Sequence, residues 1–432
     1  MDHGDGDPAR DLASAVRAND AADVRRVLER HPGLQGRLDE ALPGAAFGST
    51  ALLEAVQRRN REAIDVLLHA GAHIDQRSHW WAGGFGVLDQ DDPDLAAFLI
   101  ERGATVDVHA AARLGRIDRL EELLAGDPAL VHARGGDGQM PLHFAASIEV
   151  AACLLAHGAD VDARDIDHES TAAQWMVRDR QVTARYLVER GTQTDILMTA
   201  ALGDEPRVRQ HLRADPGSIR TAVSDRFFPK RDPRSGGSIY IWTLGAHKTA
   251  VHVAREFGHD DLAARLIEAA PDGMKLALAC ETGDTALRDA VLAAHPAIAR
   301  TLDAEDRARL PAVAQENDLE AVRRMLEAGW PLDARGQHGA TALHWAAWHG
   351  NLEMAQAIIE RGAPLDAVDQ DFSGTPAAWA IYSSVHGWDP LTGDYAGVLE
   401  ALLRAGATPP RPRPGTELSS AIRDVLRRHL ND

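Results

Sequence analysis

Apolar residues in this chain recur as pairs of short helical runs rather than in strict alternation. Between Gly339 and Asp366, GATALHWAAWHGNLEMAQAIIERGAPLD, the residues Ala342, Leu343, Ala346 and Ala347 place small apolar groups on one face of a first helix. After the turn at His349-Gly350-Asn351, a second face is made by Leu352, Met354, Ala355, Ile358 and Ile359. Gly362 ends that helix, because a residue without Cβ enters the left-handed region at no steric cost. Two helices this short cannot bury their faces alone, so copies must stack beside them. Glycines in the same role stand at 71, 103, 158, 191, 329, 362 and 406. Their intervals are 32, 55, 33, 138, 33 and 44; with degenerate copies filling the wide gaps, the period is about 33, that of a solenoid.

The pattern divides the chain into helix pairs over 9–223 and 249–408, with an insertion at 224–248 between them. A second insertion, at 384–397, lengthens the turn of the last pair, and 409–432 holds prolines 409, 410, 412 and 414 before a terminal helix at 416–430. Residues 1–8 read as a frayed tail. The stretch SHWWAGGFGVLDQDDPD gathers Trp80, Trp81 and Phe85 among glycines, which either pack on neighbouring helices or form a binding surface. In the first insertion, Tyr240-Ile241-Trp242-Thr243 has strand propensity and predicts an extended hairpin with its tip near Pro233 to Gly237.

The motifs TALH at 341–344, MPLH at 140–143 and TAVH at 249–252 resemble the ankyrin repeat family; TAAQ at 171–174 and TPAA at 375–378 join them with the histidine lost. The resemblance covers nearly the whole chain unevenly. It implies a β-turn finger, an inner helix and an outer helix per repeat. The expected fold is therefore an all-α ankyrin solenoid, elongated and curved, of about eleven or twelve helix pairs. It also implies that His143, His252 and His344 are structural, satisfying backbone groups between repeats. A fold does not fix a function, and this one mostly binds other molecules.

Composition narrows the partners. A net charge of −19 makes nucleic acid a poor one. Only Cys153 and Cys280 are present, read as reduced core residues of a cytosolic protein. No apolar run approaches membrane-spanning length, and the opening MDHGDGDPAR lacks the order of a signal peptide. Motif spacing indicates neither a metal site nor a nucleotide loop, and no cofactor is expected. The polar terminal segments make a monomer the expected state.

Candidate chemistry follows from register. In the resembled repeats, the two residues after the paired alanines face the concave side: Glu256 and Phe257, Glu281 and Thr282, Gln315 and Glu316, Trp348 and His349, Tyr382 and Ser383. The finger tips add His338 and Phe372. Trp345 and Trp379 occupy equivalent positions and are expected to stack between repeats. A ligand site is thus expected with Trp348, His349, Tyr382, His338 and Phe372 as its floor. Arg231, Tyr240 and Trp242 would be a lid or side wall, and Trp388 stands in the second insertion. The leading expectation is a binding protein holding a protein, peptide or small-molecule ligand on its concave face. The alternative is an enzyme on this scaffold, acting on a natural product or peptide, with acid–base candidates His349, His386, Asp394, Glu256 and Glu281.

Overall fold

The computed structural model describes residues 7–388, 390–411 and 416–430. The parts of these expectations that fall on residues 1–6, 389, 412–415 and 431–432 lie outside that set. The chain divides into two compact units, Met1–Leu266 and Ile267–Asp432. The described residues are helical, with two isolated bridges, Arg164 to Thr171 and Ala222 to Thr249, and no strand.

In the first unit, α-helices pair as Pro8–Arg17 with Ala21–Arg30, Ala51–Gln57 with Arg61–His69, and Val108–Arg113 with Ile117–Gly126. Further on come Ala172–Met176 with Gln181–Glu189 and Ile196–Ala201 with Glu205–Ala214. Two copies depart from this form. The inner helix at MPLH shrinks to a 3-10 turn, Pro141–Phe144, and the outer helix Pro93–Glu101 has no inner partner. Where that partner would stand, Trp80 packs edge-on against Phe47 at 5.0 Å, and Phe47 in turn meets Phe85 at 5.5 Å. Trp80 and Phe85 are half-buried in this contact, and Phe47 is 44% exposed. In the second unit the pairs are Asp272–Thr282 with Thr285–Ala294, Arg309–Gln315 with Leu319–Glu327, Ala342–Trp348 with Leu352–Glu360, and Pro376–His386 with Tyr395–Arg404. The helix Ser420–Leu430 buries Ile422, Val425 and Leu426 in the same core.

Two devices repeat between neighbours. In the first, a helix begins with a reciprocal cap: the Thr341 N–H donates to His344 Nδ1 at 3.1 Å, and Nε2 reaches the Gly374 carbonyl of the next finger at 3.2 Å. His143 does likewise, with Met140 N–H at 3.2 Å and the Ser170 carbonyl at 3.1 Å. At 171–174 the job passes to an amide, and Thr171 N–H donates to Gln174 Oε1 at 2.9 Å. The histidines are structural because a neutral imidazole offers the one acceptor and one donor this joint needs.

The second device joins fingers. Asp137 and His338 both have positive φ, 55° and 60°, at the tip of their turns. Their carbonyls accept from Ile166 N–H at 2.9 Å and Gln370 N–H at 2.8 Å. In each following finger an aspartate is anchored by an indole: Trp175 Nε1 donates to Asp165 and Trp379 Nε1 to Asp369, both at 2.8 Å. By this register Asp137 corresponds to His338, Asp167 to Asp371 and His168 to Phe372.

Candidate functional site: an aromatic groove in the second unit

Successive repeats place large rings at matching heights, and in the second unit these enclose a groove of about 630 Å³. Its walls are His338, Trp345, Trp348, Phe372, Trp379, Tyr382 and Trp388, with Gly374 and Ala378 leaving room between them. The fully buried Ala346 and Ala347 let inner helices approach closely, so the rings meet. Trp345 lies edge-on to Trp379 at 5.2 Å, and Trp348 does so at 5.6 Å. Tyr382 stacks on Trp348 at 6.2 Å and Trp388 on Trp345 at 6.2 Å, each pair tilted by 25°.

The second insertion delivers Trp388. The inner helix runs on to His386, and the loop returns past Gly350, whose φ of 60° and missing Cβ let the Gly393 backbone pass. Asp394 N–H donates to the Gly350 carbonyl at 2.8 Å, pinning the loop there. Trp388 is 65% exposed on top of the two inner-helix tryptophans.

Most of the expected floor lines the groove: Trp348, Tyr382, His338 and Phe372 do, and Trp388 of the second insertion joins them. His349 does not, because its Nε2 donates to the Gln315 carbonyl at 2.8 Å, and burial lowers its pKa. Its ring still meets Trp388 at 5.4 Å. Trp345 and Trp379 pack as expected, and an indole is wide enough that both also form wall. The register of the small residues reveals the inner face but does not show that its large residues reach past it.

The polar atoms of the groove are unevenly satisfied. His338 Nδ1 and Asp371 Oδ2 are 2.7 Å apart, a hydrogen-bonded imidazole–carboxylate pair. Trp379 has Asp369; burial, the largest single effect, pushes its pKa up, but Phe372 N–H, Trp379 and Gly374 N–H together bring it below the usual carboxylate value. The indole N–H groups of Trp345 and Trp348 are buried without an acceptor among the described residues.

Other expected acid–base residues are engaged elsewhere. Glu256, in the first unit, is ion-paired with Lys248 and, at 2.7 Å, with Arg178. Glu281 holds Arg309 at 2.6 Å. Asp394 caps its helix through Gly397 N–H at 2.8 Å, and the His386 ring packs on Tyr382 at 4.8 Å.

The insertion at 224–248 differs from the extended hairpin expected. Tyr240–Thr243 is a short helix, and burial at Ile239, Tyr240, Thr243 and Leu244 follows helical rather than alternating spacing. Tyr240 is 0% exposed and donates its hydroxyl to Asp195 Oδ2 at 2.8 Å, so it is core rather than lid. Trp242 is 73% exposed, and the Arg231 N–H is held by Glu169 at 2.9 Å. None of these three lines the groove. Burial raises the pKa of Asp195, which also caps the helix Ile196–Ala201 through Met198 N–H at 2.9 Å. Removing the hydroxyl with Y240F should cost about 1–3 kcal/mol in denaturant unfolding, because a buried carboxyl loses its donor. A loss under about 0.5 kcal/mol would show that the bond is dispensable.

No helix among the described residues is long and apolar enough to cross a membrane. The model for "Ankyrin repeats (many copies)" matches residues 310–359, and that for "Ankyrin repeat" matches 47–79 and 137–166. A curated protein of Arabidopsis thaliana, Serine/threonine-protein kinase VIK, is 51% identical over 49 residues, 11% of this chain and 11% of that protein. The chain thus matches about a tenth of that relative's length. A solved structure, the human ASB11 ankyrin repeat domain, is 16% identical with a TM-score of 0.27, covering 70% of this chain and 99% of that one. With family matches in both units, and with the finger, the threonine–histidine cap and the helix pair repeated along the chain, residues 47–79, 137–166 and 310–359 are ankyrin repeats.

Proposed function

We propose that this protein is an interaction scaffold whose second unit holds an extended peptide in the tryptophan groove, on the concave face of its repeats. Ankyrin repeats imply an interaction scaffold, which sets the general role. The observation that carries the finer reading is the pair of buried indole N–H groups, on Trp345 and Trp348, without acceptors among the described residues in a mostly aromatic wall. Each unsatisfied donor costs about 1–3 kcal/mol. A peptide brings carbonyl acceptors and apolar side chains together, and proline-rich segments do so with little ordering entropy. Trp388 is the movable part. It covers both indoles from an exposed loop, so its displacement would open the donors to the ligand's carbonyls. The terminal helix Ser420–Leu430, apolar inward and basic at its end, supports action as a monomer.

A fluorescently labelled proline-rich peptide library, read by anisotropy, tests this. Trp348→Ala should weaken the best binder by about 2 kcal/mol or more, as for a central aromatic anchor. Binding that survives in W348A and in W388A alike would remove the groove from the function. The hydrogen-bonded pair His338–Asp371 at the rim favours acid–base chemistry as the second reading. In that case His338→Gln should lower turnover by roughly 10² to 10⁴ while the peptide still binds.

A further inference from the structure

We propose that the fingers of the first unit form a binding site for a divalent transition-metal cation, Zn²⁺ or Mn²⁺, on Asp137, Asp167 and His168. One donor atom from each lies within 4.8 Å of the others. Three ligands sharing one such ion at about 2.0–2.2 Å stand roughly 3–3.8 Å apart; His168 Nε2 and Asp167 Oδ2 are already at 3.5 Å, and Asp137 has at most about 1 Å to close. Two carboxylates and an imidazole suit these cations.

The corresponding joint in the second unit explains why the first needs a cation. There, His338 at the finger tip donates to Asp371, and Phe372 follows. Here the tip is Asp137, so a carboxylate faces the carboxylate of Asp167, and a histidine replaces the phenylalanine. Asp137 is 7% exposed, and its Oδ1 is buried without a well-formed hydrogen bond among the described residues, the Trp80 indole being its nearby donor.

The insertion at 224–248 orients the other two groups. The carbonyl of Gly237, which can only accept, is 2.8 Å from His168 Nδ1, so that nitrogen carries the proton. Nε2, the nitrogen that would ligate, is turned toward Asp167 Oδ2 at 3.5 Å, beyond a hydrogen bond. An outer carbonyl fixing the tautomer of a ligating histidine is the usual support of a metal site. Gly236 N–H donates to Asp167 Oδ1 at 3.2 Å, leaving Oδ2 inward. A Cβ on Gly236 would stand 3.0 Å from the His168 ring and 3.2 Å from Oδ2, so a side chain there would crowd both groups. Asp165 is not a fourth ligand of the set; its oxygens accept from His168 N–H, Ser170 N–H and Trp175.

The competing occupant is a proton. Burial raises the Asp137 carboxyl to about 6, with Asp167 and Asp165 adding to it against the pull of His168. The full chain, stripped with chelator, should be titrated with Zn²⁺ and with Mn²⁺ by calorimetry, with bound metal measured after dialysis. One equivalent is expected, together with a rise in melting temperature. Asp137→Asn removes the anionic ligand at nearly constant size and tolerates the positive φ of this tip, and His168→Phe installs the residue matching Phe372. Each should weaken binding by about a hundredfold or more. Absence of saturable binding to the unmodified chain would overturn the proposal, whatever the variants do. So would metal affinity unchanged in a folded D137N or H168F variant, with circular dichroism as the check on folding.

Discussion

Replacing Trp345 with alanine should lower the unfolding free energy of the second unit by about 3–5 kcal/mol. The side chain is 3% exposed, and its ring touches Trp379 at 5.2 Å and both Trp388 and His338 at 6.2 Å. Fully buried rings carry the largest apolar area per residue, and the four elements around this one cannot all collapse into the space it leaves. The helix Ala342–Trp348 would keep its hydrogen bonds, so the loss should appear in denaturant midpoints more than in helix content of the folded state. Trp348→Ala is the contrast. Its ring is only half-buried and bounded by Tyr382 and Trp388, and it should cost clearly less stability than W345A while removing more binding. If W345A proved nearly neutral and W348A unfolded the unit, the two faces of this helix would be exchanged.

Acid should destabilise the second unit through His344. Burial pushes this imidazole from an ordinary 6.5 down to about 4, outweighing the backbone bond to Gly374 and the nearby Asp369. Its Nδ1 accepts from Thr341 N–H, and a proton there would set donor against donor. The folded pKa is depressed, so the unfolded chain takes up the proton first. The contribution is therefore full above pH 6.5 and is lost as pH falls through about 4. At about 1.4 kcal/mol per pH unit, the loss is about 3 kcal/mol. Gln174 performs the same cap without titrating. His344→Gln should thus retain most of the stability at neutral pH and flatten its decline between pH 6.5 and 4 by nearly one proton. Parallel curves for the two proteins would show that His344 does not carry the acid sensitivity.

The fold was legible because its determinants are local and periodic. The paired alanines, the closing glycines and the TALH motif each act within one repeat. The groove was mostly legible for the same reason: Trp348, Tyr382, His338 and Phe372 take their places from their register in a repeat. Tyr240 was misread because its burial depends on Asp195, 45 residues earlier, and no local pattern reports that partner. The Asp137–Asp167–His168 cluster was missed because two fingers 30 residues apart must be compared tip to tip. Its signal was present in the identity of the tip residues, Asp137 against His338, but only the finger hydrogen bonds supply the alignment.

The joint between fingers separates inheritance of shape from inheritance of chemistry. Backbone amides and carbonyls set its register, and the residues at Asp137 and His338 differ while those bonds stay within 0.1 Å of each other, at 2.9 and 2.8 Å. A codon change at a tip therefore rewires what the joint can do without asking the neighbouring repeats to refit. Duplication of such a unit would multiply sockets whose occupants can diverge one at a time, which gives a degenerate array a route to new specificity that a single close-packed core does not have.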